Sequence, residues 1–265
     1  MTTPTRPHPH LSALAEGPVL TLTLDAPERR NAQTPSLWLA LARIARELPQ
    51  DVRVVVLRGA GPTFSAGLDR GMLSPGGVPG EPDLVGMCAS DPEGASGEIA
   101  RFQEAFTAWR DVPAVVVAAV QGHAVGAGFQ LALGADLRIV AEDVQFVMAE
   151  TSLGLVPDLG GTKPLVEILG YGRALEVCAT RRAIGASEAV ASGLASMAVP
   201  AAELEAATAD LVSALLAAPA ASLRATKALL AGARSRGAEE QLRAERETQV
   251  GLIAGIAAAM RGAGR

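Results

Sequence analysis

Residues Gln121 to Gln130 read Gln-Gly-His-Ala-Val-Gly-Ala-Gly-Phe-Gln and lie between two apolar runs, Ala114–Val120 and Phe129–Ala135. The first run is short and β-branched, which predicts a buried strand, and the second predicts a buried helix. A strand that passes into a helix through glycines presents backbone N–H groups at the helix N-terminus, where negative charge is favoured. Carboxylates follow at Glu150 and at Asp158, the latter within Gly154-Leu-Val-Pro-Asp-Leu-Gly-Gly161. An oxyanion held by amides beside a proton-transfer group is the minimum for chemistry next to a carbonyl. The same glycines also permit tight strand–helix packing, so neither glycine loop alone decides the matter. A dinucleotide site is a poor reading, because the Gly-x-Gly-x-x-Gly order and a ribose-binding acid are not cleanly present.

The rest of the chain has α/β organisation. Strands are expected at Val19–Leu24, Val52–Leu57, Leu137–Ala141 and Val144–Val147, and helices at Ser36–Leu48 and Ile99–Asp111, with Thr34-Pro35 opening the first. Strands separated by helices imply a mostly parallel sheet with right-handed crossovers. After about Gly160 helices dominate: Lys163–Leu169, Arg173–Thr180, Ser187–Ser192, Ala201–Ala217, Ala220–Ala233 and Glu239–Ala259, with Ser187 as an expected cap. The expected division is a disordered tail over 1–16, an α/β core over 17–200 and an α-helical region over 201–265. The stretch Leu73–Gly97, rich in Gly, Pro, Asp and Ser, reads as a lid or mobile wall, with an interdomain linker as the alternative.

Composition narrows the function. The formal charge is −5, and no basic run or aromatic-studded basic stripe suggests nucleic acid. The longest apolar stretches, around Val115–Val120 and Leu252–Met260, fall short of the ~20 residues that span a bilayer. The N-terminus has no apolar signal core, so a cytoplasmic protein is expected. Cys88, Cys178, His8, His10 and His123 lack metal-ligand spacing, and neither a metal nor a cofactor is expected.

Several motifs in order resemble the crotonase (enoyl-CoA hydratase/isomerase) superfamily: Pro27-Glu-Arg-Arg-Asn-Ala32, Phe64-Ser-Ala-Gly-Leu-Asp69, Gln121-Gly-His-Ala-Val-Gly-Ala-Gly128, Ala135-Asp-Leu-Arg138 and Gly154-Leu-Val-Pro157 with Gly160-Gly-Thr162. The similarity runs from about Val19 to the C-terminal helix. It implies a crotonase-like spiral of ββα units with an α-helical C-terminal trimerisation region, a homotrimer or hexamer, and an acyl-CoA thioester substrate whose coenzyme A is not a cofactor. The N–H groups of Leu68 and Ala127 correspond to the family's oxyanion hole. Ala32 and Ala66 sit where the family's backbone contacts the adenine end of coenzyme A. Arg29 and Arg30 are candidates for its phosphates, with solvated surface arginines as the equal alternative.

The resemblance also places the acids. Glu150 matches a catalytic glutamate, whereas Gln130 stands where the hydratases carry their other one. A glutamine orients water but cannot accept its proton. Asp158 matches the second acid of the dienoyl-CoA isomerases, with a turn or N-cap role as the alternative. Three readings follow: a 3-enoyl-CoA or 3,5-dienoyl-CoA isomerase using Glu150, a 2-enoyl-CoA hydratase of fatty-acid metabolism, and a non-catalytic acyl-CoA-binding protein. Val147, Met148, Leu153, Leu155 and Val156 are expected to surround Glu150 with apolar groups and raise its pKa. Asp69 is expected to cap a turn, and Asp136 and Arg138 to form a structural pair.

Overall fold

The computed structural model describes residues 3–74 and 76–263. The chain opens with three strands, β1 (Thr5–His8), β2 (Leu11–Glu16) and β3 (Val19–Leu24), paired antiparallel. Helix α1 (Pro35–Arg46) leads to β4 (Val54–Gly59), and α2 (Leu84–Ser90) and α3 (Pro92–Thr107) lead to β5 (Val115–Val120). Then come β6 (His123–Val125), α4 (Ala127–Gly134), β7 (Leu137–Ala141), β8 (Gln145–Val147), α5 (Thr162–Leu169) and α6 (Tyr171–Thr180). The last strands, β9 (Ile184–Gly185) and β10 (Met197–Val199), flank α7 (Ala186–Ala191), and three helices follow: α8 (Leu204–Ala217), α9 (Ala220–Ala233) and α10 (Ala238–Ala263).

A seven-stranded sheet has the order β1-β2-β3-β4-β5-β7-β10, parallel from β3 onward, and β6, β8 and β9 form a second, three-stranded sheet. Two successive turns of chain, β5–β6–α4 and β7–β8–α5, each add a strand to the large sheet, a strand to the small one, and then a helix. The β-branched run of β5 explains its central place. Val116, Ala118 and Val120 enter one apolar core, while Val115, Val117 and Ala119 enter a second on the opposite face. A strand with both faces covered reads as a continuous apolar run. The second core is closed by Leu204, Leu211, Val212 and Leu215 of α8.

The N-terminus corrects the expected disordered tail over 1–16. Residues 5–16 form β1 and β2, Leu11 is fully buried, and Arg6 pairs with Asp25 at 2.8 Å. An edge hairpin keeps one face in water, so its sequence looks polar. Met1 and Thr2 lie outside the described residues.

The Leu73–Gly97 stretch is neither a linker nor a structureless loop. The Asp83 carboxylate accepts the Gly86 N–H and the Asp91 carboxylate accepts the Gly94 N–H, each at 2.9 Å, capping α2 and α3. Helix α3 thus begins at Pro92, seven residues before the expected Ile99. Glu81 accepts the Ser36 N–H at 2.9 Å, fastening this segment to the N-terminus of α1. Thr34 stands at that cap position, but its side chain accepts no capping N–H bond. Ser187 is likewise not a cap, because α7 begins at Ala186 with Gly185 preceding it. Among the described residues, no single helix is long and apolar enough to cross a membrane.

Candidate active site

Two loops from neighbouring strands of the large sheet run side by side. The Ser65 N–H donates to the His123 carbonyl, and the Val125 N–H donates to the Ser65 carbonyl, both at 3.0 Å. Gln33 pairs with the far end of the first loop, its N–H donating to Gly67 O and its carbonyl accepting from Asp69 N, both at 2.8 Å. Among the described residues, the N–H groups of Leu68 and Ala127 then donate to no protein acceptor. Gly67 has φ +84°, and a Cβ there would lie 2.3 Å from Val125 O and 3.3 Å from Ala127 N. The peptide bearing the Leu68 N–H is therefore packed against the one bearing the Ala127 N–H. Gly128 allows the same approach one residue later, since its Cβ would meet Ser65 O at 2.6 Å.

A buried polar network that the sequence reading missed shapes the first loop. Asn31 adopts φ +52° and its Nδ2 donates to Ala60 O, Thr63 O and Phe64 O at 2.9, 2.7 and 3.2 Å. Its Oδ1 accepts the Ala26 N–H at 3.0 Å. Ser65 Oγ donates to Asn31 O at 2.7 Å and accepts from Gln33 Nε2 at 3.0 Å, while Trp38 Nε1 donates to Gln33 Oε1 at 2.7 Å. The only sequence signals are buried-type spacing around Trp38 and an Asn in a turn.

Glu150 arrives from the opposite side, on a short 3-10 helix after β8 (Glu150–Leu153). A Cβ on Gly126 would lie 3.2 Å from Glu150 Oε1, which places the carboxylate beside the N-terminus of α4. Gln130 Nε2 donates to Glu150 Oε1 at 2.7 Å, and Glu150 Oε2 is buried without a hydrogen-bond partner. Burial pushes the Glu150 carboxyl above the ordinary glutamate range. Backbone amides and the Gln130 bond oppose that rise, and the Asp158 charge adds to it. Met148 is buried and Val147 partly buried, but Leu153, Leu155 and Val156 are exposed. They do not supply the expected apolar wall.

Asp158 sits at the rim. Partial loss of hydration raises its carboxyl, and its carbonyl accepts from Gln103 Nε2 at 2.6 Å. Gly161, not Asp158, occupies the cap position of α5. Arg29 forms an ion pair with Asp69, whose carboxylate also accepts the Gly71 N–H at 2.8 Å and so closes the turn after Leu68. Arg30 is exposed, and its carbonyl accepts the Ala66 N–H at 2.8 Å. Ala32 and Ala66 are half-buried beside this turn. His123 is exposed. Among the described residues, no three His, Cys, Asp or Glu side chains are grouped to hold a metal ion.

The sequence profile of the family described as enoyl-CoA hydratase/isomerase matches residues 15–257. The chain belongs to this family, the crotonase superfamily. It is 34% identical over 203 residues to carnitinyl-CoA dehydratase of Salmonella enteritidis, covering 76% of this chain and 72% of that protein. It is 35% identical over 186 residues to 1,2-epoxyphenylacetyl-CoA isomerase of Escherichia coli, covering 68% and 65%. A provisionally assigned enoyl-CoA hydratase from Thermobifida fusca YX superposes with a TM-score of 0.90 at 48% identity, covering 94% and 95% of the two chains. A structure of the same description contains acetoacetyl-CoA. The alternation of strands between two sheets is thus the crotonase fold, with the C-terminal helices attached.

Within this crotonase fold the expected Asp136–Arg138 pairing takes a different form. Arg138 donates to the carbonyls of Leu194, Ala132 and Ala135, and burial pushes its pKa down to about 10. Asp136 pairs instead with Lys227 of α9, a residue that the sequence reading did not single out.

Proposed function

We propose that this crotonase is an acyl-CoA double-bond isomerase with Glu150 as its base. The carrying observation is one buried carboxylate whose Oε1 is tied by Gln130 and whose Oε2 is unpartnered, set beside the N–H groups of two converging loops. The second catalytic position holds Gln130, an amide, so one carboxylate alone can accept a proton there.

On a 3-enoyl-CoA thioester, Glu150 Oε2 removes a proton from C2. The electron pair moves onto the thioester oxygen, giving a dienolate held by the N–H groups of Leu68 and Ala127. The same carboxyl returns the proton at C4, the C2–C3 double bond forms, and the C3–C4 double bond is lost. On a 3,5-dienoyl substrate the charge extends farther, and Asp158 at the rim is the second carboxyl available for the proton. Ala32 and Ala66 flank the path proposed for the adenine end, with Arg29 and Arg30 beside it. The exposed Leu242, Val250, Ile253 and Ile256 of α10 support assembly as a homotrimer or hexamer.

A second reading, hydration of a 2-enoyl-CoA or the reverse dehydration of a 3-hydroxyacyl-CoA, is favoured by the dehydratase and hydratase relatives. Incubation with 2-enoyl-, 3-enoyl- and 3,5-dienoyl-CoA in heavy-oxygen water separates the two. Isomerisation gives a shifted double bond without label. A labelled 3-hydroxyacyl product overturns the proposal in favour of hydration. Tight calorimetric binding with no product from any substrate overturns it in favour of a binding protein.

A further inference from the structure

We propose that Gln130 is a positioning residue, a two-ended clasp that fixes Glu150 and the Asp158–Gly161 segment relative to one another. Its Oε1 accepts the N–H of Leu159 at 2.9 Å and of Gly161 at 3.1 Å, on either side of Gly160. Two converging N–H donors admit only an oxygen between them, so they dictate which way the amide lies. Nε2 is then the end that meets Glu150 Oε1 at 2.7 Å. Gln130 is 1% exposed, and a Cβ on Gly161 would sit 2.7 Å from its Cγ, so the side chain is packed closely against the segment that it clasps.

The chemistry of the alternatives shows why an amide is needed. A carboxylate at this position still accepts both N–H groups, but it meets Glu150 with like charge, and the two oxygens must share a proton. A thioether satisfies neither end. The amide accepts from the segment and donates to the base with no shared proton at any pH, leaving Glu150 Oε2 as the working oxygen. The other titratable groups facing Glu150 are Asp158, on the clasped segment, and Cys178 of α6, which burial keeps as a neutral thiol.

The inference rests on Glu150 being the base, and its test does not depend on turnover. Gln130→Glu and Gln130→Met are compared with the unaltered protein by two measurements. The first is amide hydrogen exchange at Leu159 and Gly161, and the second is NMR titration of the Glu150 side-chain carboxyl. Exchange should stay slow in Gln130→Glu and quicken at least about tenfold in Gln130→Met, which loses the acceptor. The Glu150 titration should move up by about one pH unit or more in Gln130→Glu. Unchanged exchange in Gln130→Met, or an unmoved titration in Gln130→Glu, overturns the clasp. If instead both shifts occur while Glu150→Gln keeps full turnover, the clasp stands and the assignment of the base falls. Should Gln130→Met fail to fold, Gln130→Glu alone still decides the Glu150 end.

Discussion

Lys227 of α9 places its Nζ 2.7 Å from Asp136 Oδ2, and that same oxygen accepts the Val116 N–H at 2.7 Å. The ammonium also donates to the carbonyls of Ala114 at 2.7 Å and Trp109 at 3.0 Å. One cation thus joins the helical C-terminal region to the starts of β5 and β7. Its side chain is 9% exposed, against 24% for Asp136. Lys227→Met should cost about 2–4 kcal/mol, somewhat under the ~3–5 kcal/mol of a fully buried broken pair, because Asp136 keeps the Val116 N–H and some water. Urea denaturation measures it, and an unmoved midpoint would show that the link contributes nothing.

Glu150 should set an acid limb. Its ionised form accepts the proton, and burial first, then the Asp158 charge, raises its pKa. The kcat/KM should therefore fall on acidification at a pH above the ordinary glutamate range. Asp158→Asn removes a raising charge and should move that limb to lower pH, as a pH–rate profile would read. A limb that stays put would mean that the two carboxyls do not communicate.

The same shift carries a stability sign. The folded protein holds the Glu150 proton more tightly than the unfolded chain does. This contribution is therefore complete below the unfolded pKa and lost as pH rises through the folded value. Glu150→Gln, neutral at every pH, should raise the melting temperature at neutral pH while lowering turnover by about 10²- to 10⁴-fold. Both are read on one preparation by calorimetry and steady-state kinetics. A lower melting temperature would contradict the argument.

Gly67 is the hinge of the two-loop arrangement. A methyl group at this residue meets Val125 O at 2.3 Å, and φ +84° disfavours any side chain. Gly67→Ala must push the Leu68 and Ala127 N–H groups apart. Loss of one oxyanion donor corresponds to about 10²- to 10³-fold in kcat, and backbone strain adds about 1–3 kcal/mol of instability. Gly154→Ala is the control, because φ is +71° but nothing lies within 4 Å. It should show the strain without the catalytic loss. Equal activities of the two variants would remove the geometric argument.

Burial on both faces made β5 legible, because every one of its positions is apolar. The glycine loops were legible because a tight strand-to-helix passage demands small residues whatever its purpose. The hairpin of β1 and β2 was hidden by its solvent face, and the caps Asp83 and Asp91 by the glycines and prolines around them. Lys227 and Asp136 are distant in sequence, so nothing local marks either as the other's partner. The Gln130–Glu150 contact is of the same kind. Order along the chain gives two positions, and only the fold shows that the amide reaches the carboxylate with one end and Leu159 and Gly161 with the other.

Asn31 tests whether the buried network, rather than the glycines alone, holds the oxyanion loop. It uses both donors and its acceptor on four backbone groups, and Asn tolerates the left-handed backbone it adopts here. Asn31→Asp keeps the size but replaces the donors with an acceptor facing the carbonyls of Ala60, Thr63 and Phe64. Leaving buried groups unpaired costs about 1–3 kcal/mol each, so a loss of at least about 2–3 kcal/mol is expected in denaturant unfolding. Because those carbonyls belong to the loop that leads into Ser65 and Leu68, kcat should fall along with stability. A variant that loses stability but keeps kcat at a temperature where it is fully folded would mean that Gly67 and the Ser65–His123 pairing position the Leu68 N–H without help from Asn31.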